Sequence, residues 1–124
     1  MGSVIAGYSR SPFTRAMKGD LARIRPDDIA AKVVNSLISN LELDPNLVED
    51  IIVGTAFPEG EQGFNLARII SFLSDLPESV PGVTINRFCG SSMQAIHDAA
   101  GRIAMGAGEV FIAGGVEPMP RIPM

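Results

Sequence analysis

The chain has one cysteine, one histidine and no tryptophan in 124 residues. A lone cysteine, Cys89, cannot close an internal disulfide, which is compatible with a reducing compartment. One Cys and one His make no ligand set, so no metal site is expected. No apolar run reaches the length that spans a bilayer. Met1-Gly2-Ser3 leads straight into Val4-Ile5-Ala6-Gly7 without a basic leader or a cleavage site, so no signal peptide is read. Ala6 stands where a myristoylation signal wants Ser or Thr. Ten basic residues are scattered among fourteen acidic ones, for a net charge of −4, and form no stripe that could track nucleic acid. The expectation is a soluble cytoplasmic protein with neither nucleic-acid nor membrane partners.

Hydrophobic residues at 46% and charged ones at 19% are enough for a real core in one compact domain. No internal repeat or low-complexity tract interrupts the chain, which reads as alternating strands and helices. Val4 to Tyr8 is a short apolar run ended by Ser9-Arg10-Ser11-Pro12, a candidate first strand. Residues 13–25 read as an irregular surface excursion. Pro26-Asp27-Asp28 opens a helix, since proline suits the first helical position and acids suit the positive end of its dipole. Its apolar face is Ile29, Val33, Val34, Leu37 and Ile38, and Asn40 is its stop. Leu43 to Val48 reads as a connector or a short turn of helix. Ile51-Ile52-Val53-Gly54 is β-branched and continuous, as a strand buried on both faces would be. After the loop Phe57 to Gly63, a helix from about Asn65 buries Leu66, Ile69, Ile70 and Leu73.

A third strand covers Gly82 to Asn86, and a helix from Ser91 to Met105 follows. Its Ala95, Ile96, Ala99, Ala100, Ile103 and Ala104 form an apolar surface of mostly small side chains, so deep burial is expected, with Met93 and Met105 packed in the core. Val110 to Gly115 is a fourth strand. The order βαβαβαβ favours a mostly parallel sheet with helices on both faces, an α/β fold. Pro118 to Pro123 reads as a loop or linker, and the ending at Met124 as that of a cut fragment.

Chemistry concentrates at Cys89. It falls between a strand and a helix start, where free N–H groups and the helix dipole favour a thiolate. That end of an open sheet also carries the ligand crevice. Gly90 allows close backbone approach, and the layout resembles a nucleophile elbow with N–H groups for an oxyanion. A free cysteine filling space in a core fits the position as well, and spacing alone does not separate the two. His97 lies eight residues further along the same helix, on the order of 12 Å along its axis, too far to act as local base. It reads as structural or interfacial. Glu59 and Glu61 read as solvated loop charges, and Asp27 and Asp28 as helix-start residues. Gly114-Gly115 opens neither a GxGxxG fingerprint nor a P-loop.

The block Asn86-Arg87-Phe88-Cys89-Gly90-Ser91-Ser92-Met93-Gln94-Ala95-Ile96 resembles the nucleophile motif of thiolases, the acyl-CoA C-acyltransferases. Arg10-Ser11-Pro12-Phe13, Gly60-Glu61-Gln62-Gly63 through Ala67-Arg68, and Ala113-Gly114-Gly115-Val116-Glu117 with Met119 resemble further thiolase segments, in the same order. Pro118 stands where many thiolases have Ser. The resemblance implies an incomplete N-terminal half of the thiolase-like layered fold, with residues 1–124 as the N-terminal thiolase domain.

It further implies ping-pong acyl transfer between acyl-CoA substrates through an acyl-Cys89 thioester. The Cys89 N–H would serve an oxyanion hole, coenzyme A would be a substrate, and no resident cofactor is called for. The parent would be a homodimer or tetramer, with Val83 to Asn86 close to a dimer interface. The family's activating histidine, second cysteine, asparagine-bearing loop, CoA-holding loop domain and C-terminal domain all come later than this chain reaches. The chain alone is therefore expected to be inactive, marginally stable and prone to association through an exposed sheet edge. A ketoacyl synthase, favoured by two downstream histidines, and a non-catalytic thiolase-like companion or scaffold subunit are the alternatives. The Asn-Arg-Phe-Cys context argues against the synthase.

Overall fold

The computed structural model describes residues 2–122. Six regular elements alternate: α1 Pro26–Asn40, β1 Asp50–Gly54, α2 Leu66–Leu73, β2 Gly82–Ile85, α3 Ser91–Ala104 and β3 Phe111–Gly115. The three strands are parallel in the order β2-β1-β3. The α/β class and its parallel sheet agree with the sequence reading, and so do the positions of all three helices.

β1 is the central strand, which explains its run of β-branched residues. Ile51 and Val53 face one side and Ile52 the other, as the two-residue period of a strand requires. The larger core joins Ile51, Val53 and Ile112 to Leu66, Ala67 and Ile70 of α2 and to Ala31, Val34 and Ile38 of α1. On the opposite face Ile52 packs under Ala95 and Ala99 of α3. Helices thus cover both faces, α2 with α1 on one and α3 on the other.

Local chemistry fixes the helix starts. Pro26 is the first residue of α1, and Arg25 grips the buried Asp27 carboxylate with two donors at 3.1 and 2.7 Å. Asn65 caps α2, accepting from the Arg68 N–H at 3.3 Å. The same side chain donates to the Gly82 carbonyl at 2.7 Å and accepts from the Thr84 hydroxyl at 2.8 Å, tying the start of α2 to β2. Gly82 lets α2 approach, since a Cβ there would come within 2.6 Å of the Ala67 and Arg68 backbone.

Four expectations change. Val4 to Tyr8 forms no strand: residues 2–14 have no regular structure, and Val4, Ile5 and Tyr8 are exposed. An isolated run of β-formers gains nothing without a ladder, and this segment pairs with neither edge of the sheet. The stretch 13–25 is less irregular than expected, because Asp20–Arg23 makes a short 3-10 turn. The buried faces of α1 and α2 are rotated toward small residues, so that Ala30, Ala31 and Ala67 are inside while Leu73 is exposed. Finally, α3 is buried along one stripe only, at Ser91, Ala95 and Ala99. Met93 (64% exposed), Ile96 (46%) and Met105 (77%) face outward, so the methionines do not pack the core. Small side chains allow close approach, but a single three-stranded sheet supplies a partner for one face alone.

Candidate active site

Gly54 pairs with both Ile85 and Gly115, so the three strands end level with one another. The Thr55 N–H donates to the Ile85 carbonyl and the Val116 N–H to the Gly54 carbonyl, each at 3.0 Å, and so each extends the ladder by one residue. The loops that follow leave the sheet side by side at its C-terminal edge, where open α/β sheets bind ligands. Cys89 sits in the middle loop and is exposed among the described residues.

The turn that carries it is tight and strained. Phe88 has φ 47°, the left-handed region that costs a bulky L-residue about 1–2 kcal/mol. Its polar groups are pinned on both sides. The Phe88 N–H donates to Asn86 Oδ1 at 2.8 Å, and the Phe88 carbonyl accepts from the Ser91 hydroxyl at 2.6 Å and the Ser91 N–H at 3.1 Å. Ser91 Oγ also accepts the Arg87 N–H at 2.8 Å, and the Gly90 N–H donates to the Arg87 carbonyl at 3.0 Å. Among the described residues no acceptor takes the Cys89 N–H. The first intrahelical bond runs from the Gln94 N–H to the Gly90 carbonyl at 2.9 Å, and no side chain caps α3. The helix start therefore keeps donors available for an incoming oxygen.

Two glycines seat that helix start on the sheet. A Cβ on Gly54 would lie 2.4 Å from the Ser91 carbonyl carbon and 2.6 Å from the Ser92 nitrogen. One on Gly115 would lie 2.7 Å from the Ser92 Cβ. Gly115, read from sequence only as a strand end, thus allows the elbow to dock.

A polar network lies beneath the neighbouring loop. Glu117 accepts from the Ala56 N–H at 2.6 Å, from Gln62 Nε2 at 3.0 Å and from the Thr55 hydroxyl at 3.4 Å. Thr55 and Gln62 are almost fully buried, and Gln62 also donates to the Phe57 carbonyl at 3.0 Å. The Asn86 amide donates to the Ala56 carbonyl at 3.1 Å, so the network reaches the elbow. Sequence reading assigned no role to Asn86, Gln62 or Glu117. Their signal was a polar side chain just past the end of a buried strand, or in the loop such a strand feeds.

Glu61 departs from its expected part as a solvated charge. Both Arg121 Nε and Nη2 bond its carboxylate, and Arg25 lies 3.5 Å away. The Arg121 hydrogen bond holds the Glu61 carboxyl below its ordinary range, against a smaller opposing push from partial burial. Glu59 is exposed, as expected. Asp28 is exposed at its helix start, whereas Asp27 is buried against Arg25. His97 is exposed on α3, away from the elbow in sequence and on a different part of the helix. Among the described residues no group of three His, Cys, Asp or Glu could hold a metal ion, and no helix is long and apolar enough to cross a membrane.

A parallel α/β sheet with an exposed thiol on a strained strand-to-helix turn has the layout of a nucleophile elbow. A family model described as "Thiolase, N-terminal domain" matches residues 3–124, and the chain belongs to the thiolase family. The 3-ketoacyl-CoA thiolase of Saccharophagus degradans is 45% identical over 122 residues, covering 98% of this chain and 31% of that protein. The 3-ketoacyl-CoA thiolase of Bacillus subtilis is 43% identical over 122 residues, with 98% and 31% coverage. The crystal structure of the Bacillus anthracis acetyl-CoA acetyltransferase superposes with a TM-score of 0.91 at 34% identity, covering 98% of this chain and 30% of that one. The chain thus spans about a third of the length of the relatives it matches.

Proposed function

We propose that Cys89 is the acyl-accepting thiol of a thiolase, and that the chain forms the nucleophile-bearing N-terminal part of that enzyme. The observation that carries this reading is the exposed Cys89 on a pinned, left-handed turn at the C-terminal edge of the sheet. The proposed substrates are 3-ketoacyl-CoA and free coenzyme A, in the cytoplasm, with a homodimer or tetramer as the working assembly.

In the cleavage direction the Cys89 thiolate attacks the 3-keto carbon. The carbonyl oxygen becomes an oxyanion, and the Cys89 N–H serves as a donor to it in this reading. Collapse breaks the bond between carbons 2 and 3, and the electron pair leaves on acetyl-CoA as a carbanion that is then protonated. The thiolate of a second CoA attacks the acyl-Cys89 thioester, forms the new acyl-CoA and returns the cysteine. The reverse sequence is a Claisen condensation. The described residues place no histidine beside Cys89, so the chain alone is expected to turn over no substrate.

The test joins residues 1–124 to the remaining two thirds of the Saccharophagus degradans thiolase in place of the matching segment. We expect that chimera to cleave acetoacetyl-CoA in the presence of CoA, with one acetyl group on Cys89 by intact mass. Cys89→Ala should abolish both. A folded chimera that takes no acyl group, or takes it on another residue, sinks the reading.

A further inference from the structure

The Asn86 side chain bridges the loop after β2 and the loop after β1. Its oxygen accepts the Phe88 N–H two residues on, which is the Asx-turn pattern, while its nitrogen donates to the Ala56 carbonyl across the strand ends. Ala56 is itself held by Glu117, whose carboxylate takes the Ala56 N–H at 2.6 Å. A continuous path of hydrogen bonds thus runs from Glu117 on the loop after β3, through Ala56 on the loop after β1, to the left-handed Phe88 that precedes Cys89. Phe88 is exposed among the described residues, so within them hydrogen bonds rather than packing of its ring hold the backbone in that conformation.

We propose that Asn86, anchored through Ala56 by Glu117, is a positioning residue: it fixes the Arg87–Phe88 peptide and with it the left-handed Phe88, so that the next peptide, held by Ser91 at its carbonyl, turns the Cys89 N–H toward the developing oxyanion. This rests on the reading of Cys89 as an acyl acceptor. Asn86 touches no reacting atom. It acts through the backbone, and a displacement of about 1 Å in such a donor is worth up to ~100-fold in rate.

The test separates geometry from exposure by comparing two reagents on the chimera described above, with modification of Cys89 followed by peptide mass. With p-nitrophenyl acetate the thiolate forms a bond to the ester carbon, an oxyanion develops, and p-nitrophenolate leaves with the electron pair. With iodoacetamide the sulfur displaces iodide and no oxyanion forms. The readout is the ratio of the two rates, normalised to free cysteine. We expect the unaltered chimera to exceed free cysteine. Asn86→Ala should lower the ratio about 10-fold or more, with the iodoacetamide rate nearly unchanged. Asn86→Ser keeps a weaker turn acceptor and should recover part of the loss. Glu117→Ala should lower the ratio less than Asn86→Ala. An unaltered chimera whose ratio equals that of free cysteine overturns the acyl-acceptor reading and this role with it. A raised ratio that Asn86→Ala leaves intact overturns the role of Asn86 alone. If the ratio falls but iodoacetamide speeds up equally in Asn86→Ala and Asn86→Ser, the residue merely stabilises the loop, and the positioning role is overturned.

Discussion

The Ser91 hydroxyl donates to the Phe88 carbonyl at 2.6 Å while accepting the Arg87 N–H at 2.8 Å, so one buried side chain closes the turn around Cys89 from within. Ser91→Ala leaves the Arg87 N–H without this acceptor and removes one of the two bonds to the Phe88 carbonyl. Both bonds are part-buried, so their loss costs about 0.5–1.5 kcal/mol, the range of an ordinary hydrogen bond. The expected outcome is a lower urea midpoint with an unchanged slope, since the surface exposed on unfolding does not change. An unaltered midpoint would mean that the turn is held from elsewhere.

Gly54 and Gly101 predict opposite responses to the same substitution. A Cβ on Gly54 meets the Ser91 backbone at 2.4 Å, and backbone cannot move aside as a side-chain tip can. Gly54→Ala should therefore lift α3 from the sheet and cost about 1–3 kcal/mol, the range seen for overpacking. Gly101 lies within exposed α3 with open space around it. Gly101→Ala should stabilise by about 0.5–1 kcal/mol through helix propensity and a less flexible unfolded chain. Paired urea titrations check both signs at once.

Much of the fold was readable because local and tertiary preferences agree. The central strand announced itself through Ile51-Ile52-Val53, and α2 through Asn65 followed by an apolar stripe. Val4 to Tyr8 carried the same kind of pattern yet pairs with nothing, because strand formation depends on an edge that periodicity does not report. The outer face of α3 was misread for a related reason. Alanine suits both buried and exposed helix positions, so Ala95 and Ala104 look alike in sequence while one is inside and the other outside. The place of Cys89 between a strand end and a helix start was legible, whereas spacing alone did not separate a reactive thiol from a space-filling one. Asn86 and Glu117 were not, since their partners are backbone groups of Phe88 and Ala56, set by how three loops converge.

Acid should loosen the contact between residue 121 and the loop at residue 61. Glu61 is held below its ordinary range chiefly by the Arg121 hydrogen bond, and Glu49 by the N–H groups of Glu109 and Val110. A carboxylate with a depressed folded value contributes stability that is fully present above its unfolded value, ~4.3, and is lost as pH falls through the lower folded one. The urea midpoint should hold steady from about pH 7 to pH 5 and decline below ~4.5. Glu61→Gln should be less stable than the unaltered chain at neutral pH and approach it in strong acid, with the gap narrowed by salt because the pair is partly exposed. A gap that persists unchanged in acid would mean that packing, and not charge, holds this contact.

Asp50 opens the central strand with little solvent around it, accepting the Ile51 N–H at 2.8 Å and pairing with Arg102 of α3. Arg102 also lies over the Phe111 ring, 6.0 Å from its centre, and so links α3 to both β1 and β3. Arg102→Met preserves most of the side chain's apolar length but leaves the Asp50 charge without its partner. The cost of stranding a buried charge is about 3–5 kcal/mol, and the partial exposure of Arg102 places this case at or below the lower end. Asp50→Asn keeps an acceptor for the Ile51 N–H and removes the charge, so it should cost less. The double variant should then cost less than the sum of the two, because removing the charge makes its missing partner irrelevant. Additive losses in the urea midpoints would show that Arg102 stabilises through its stem and the Phe111 ring, with no contribution from its charge.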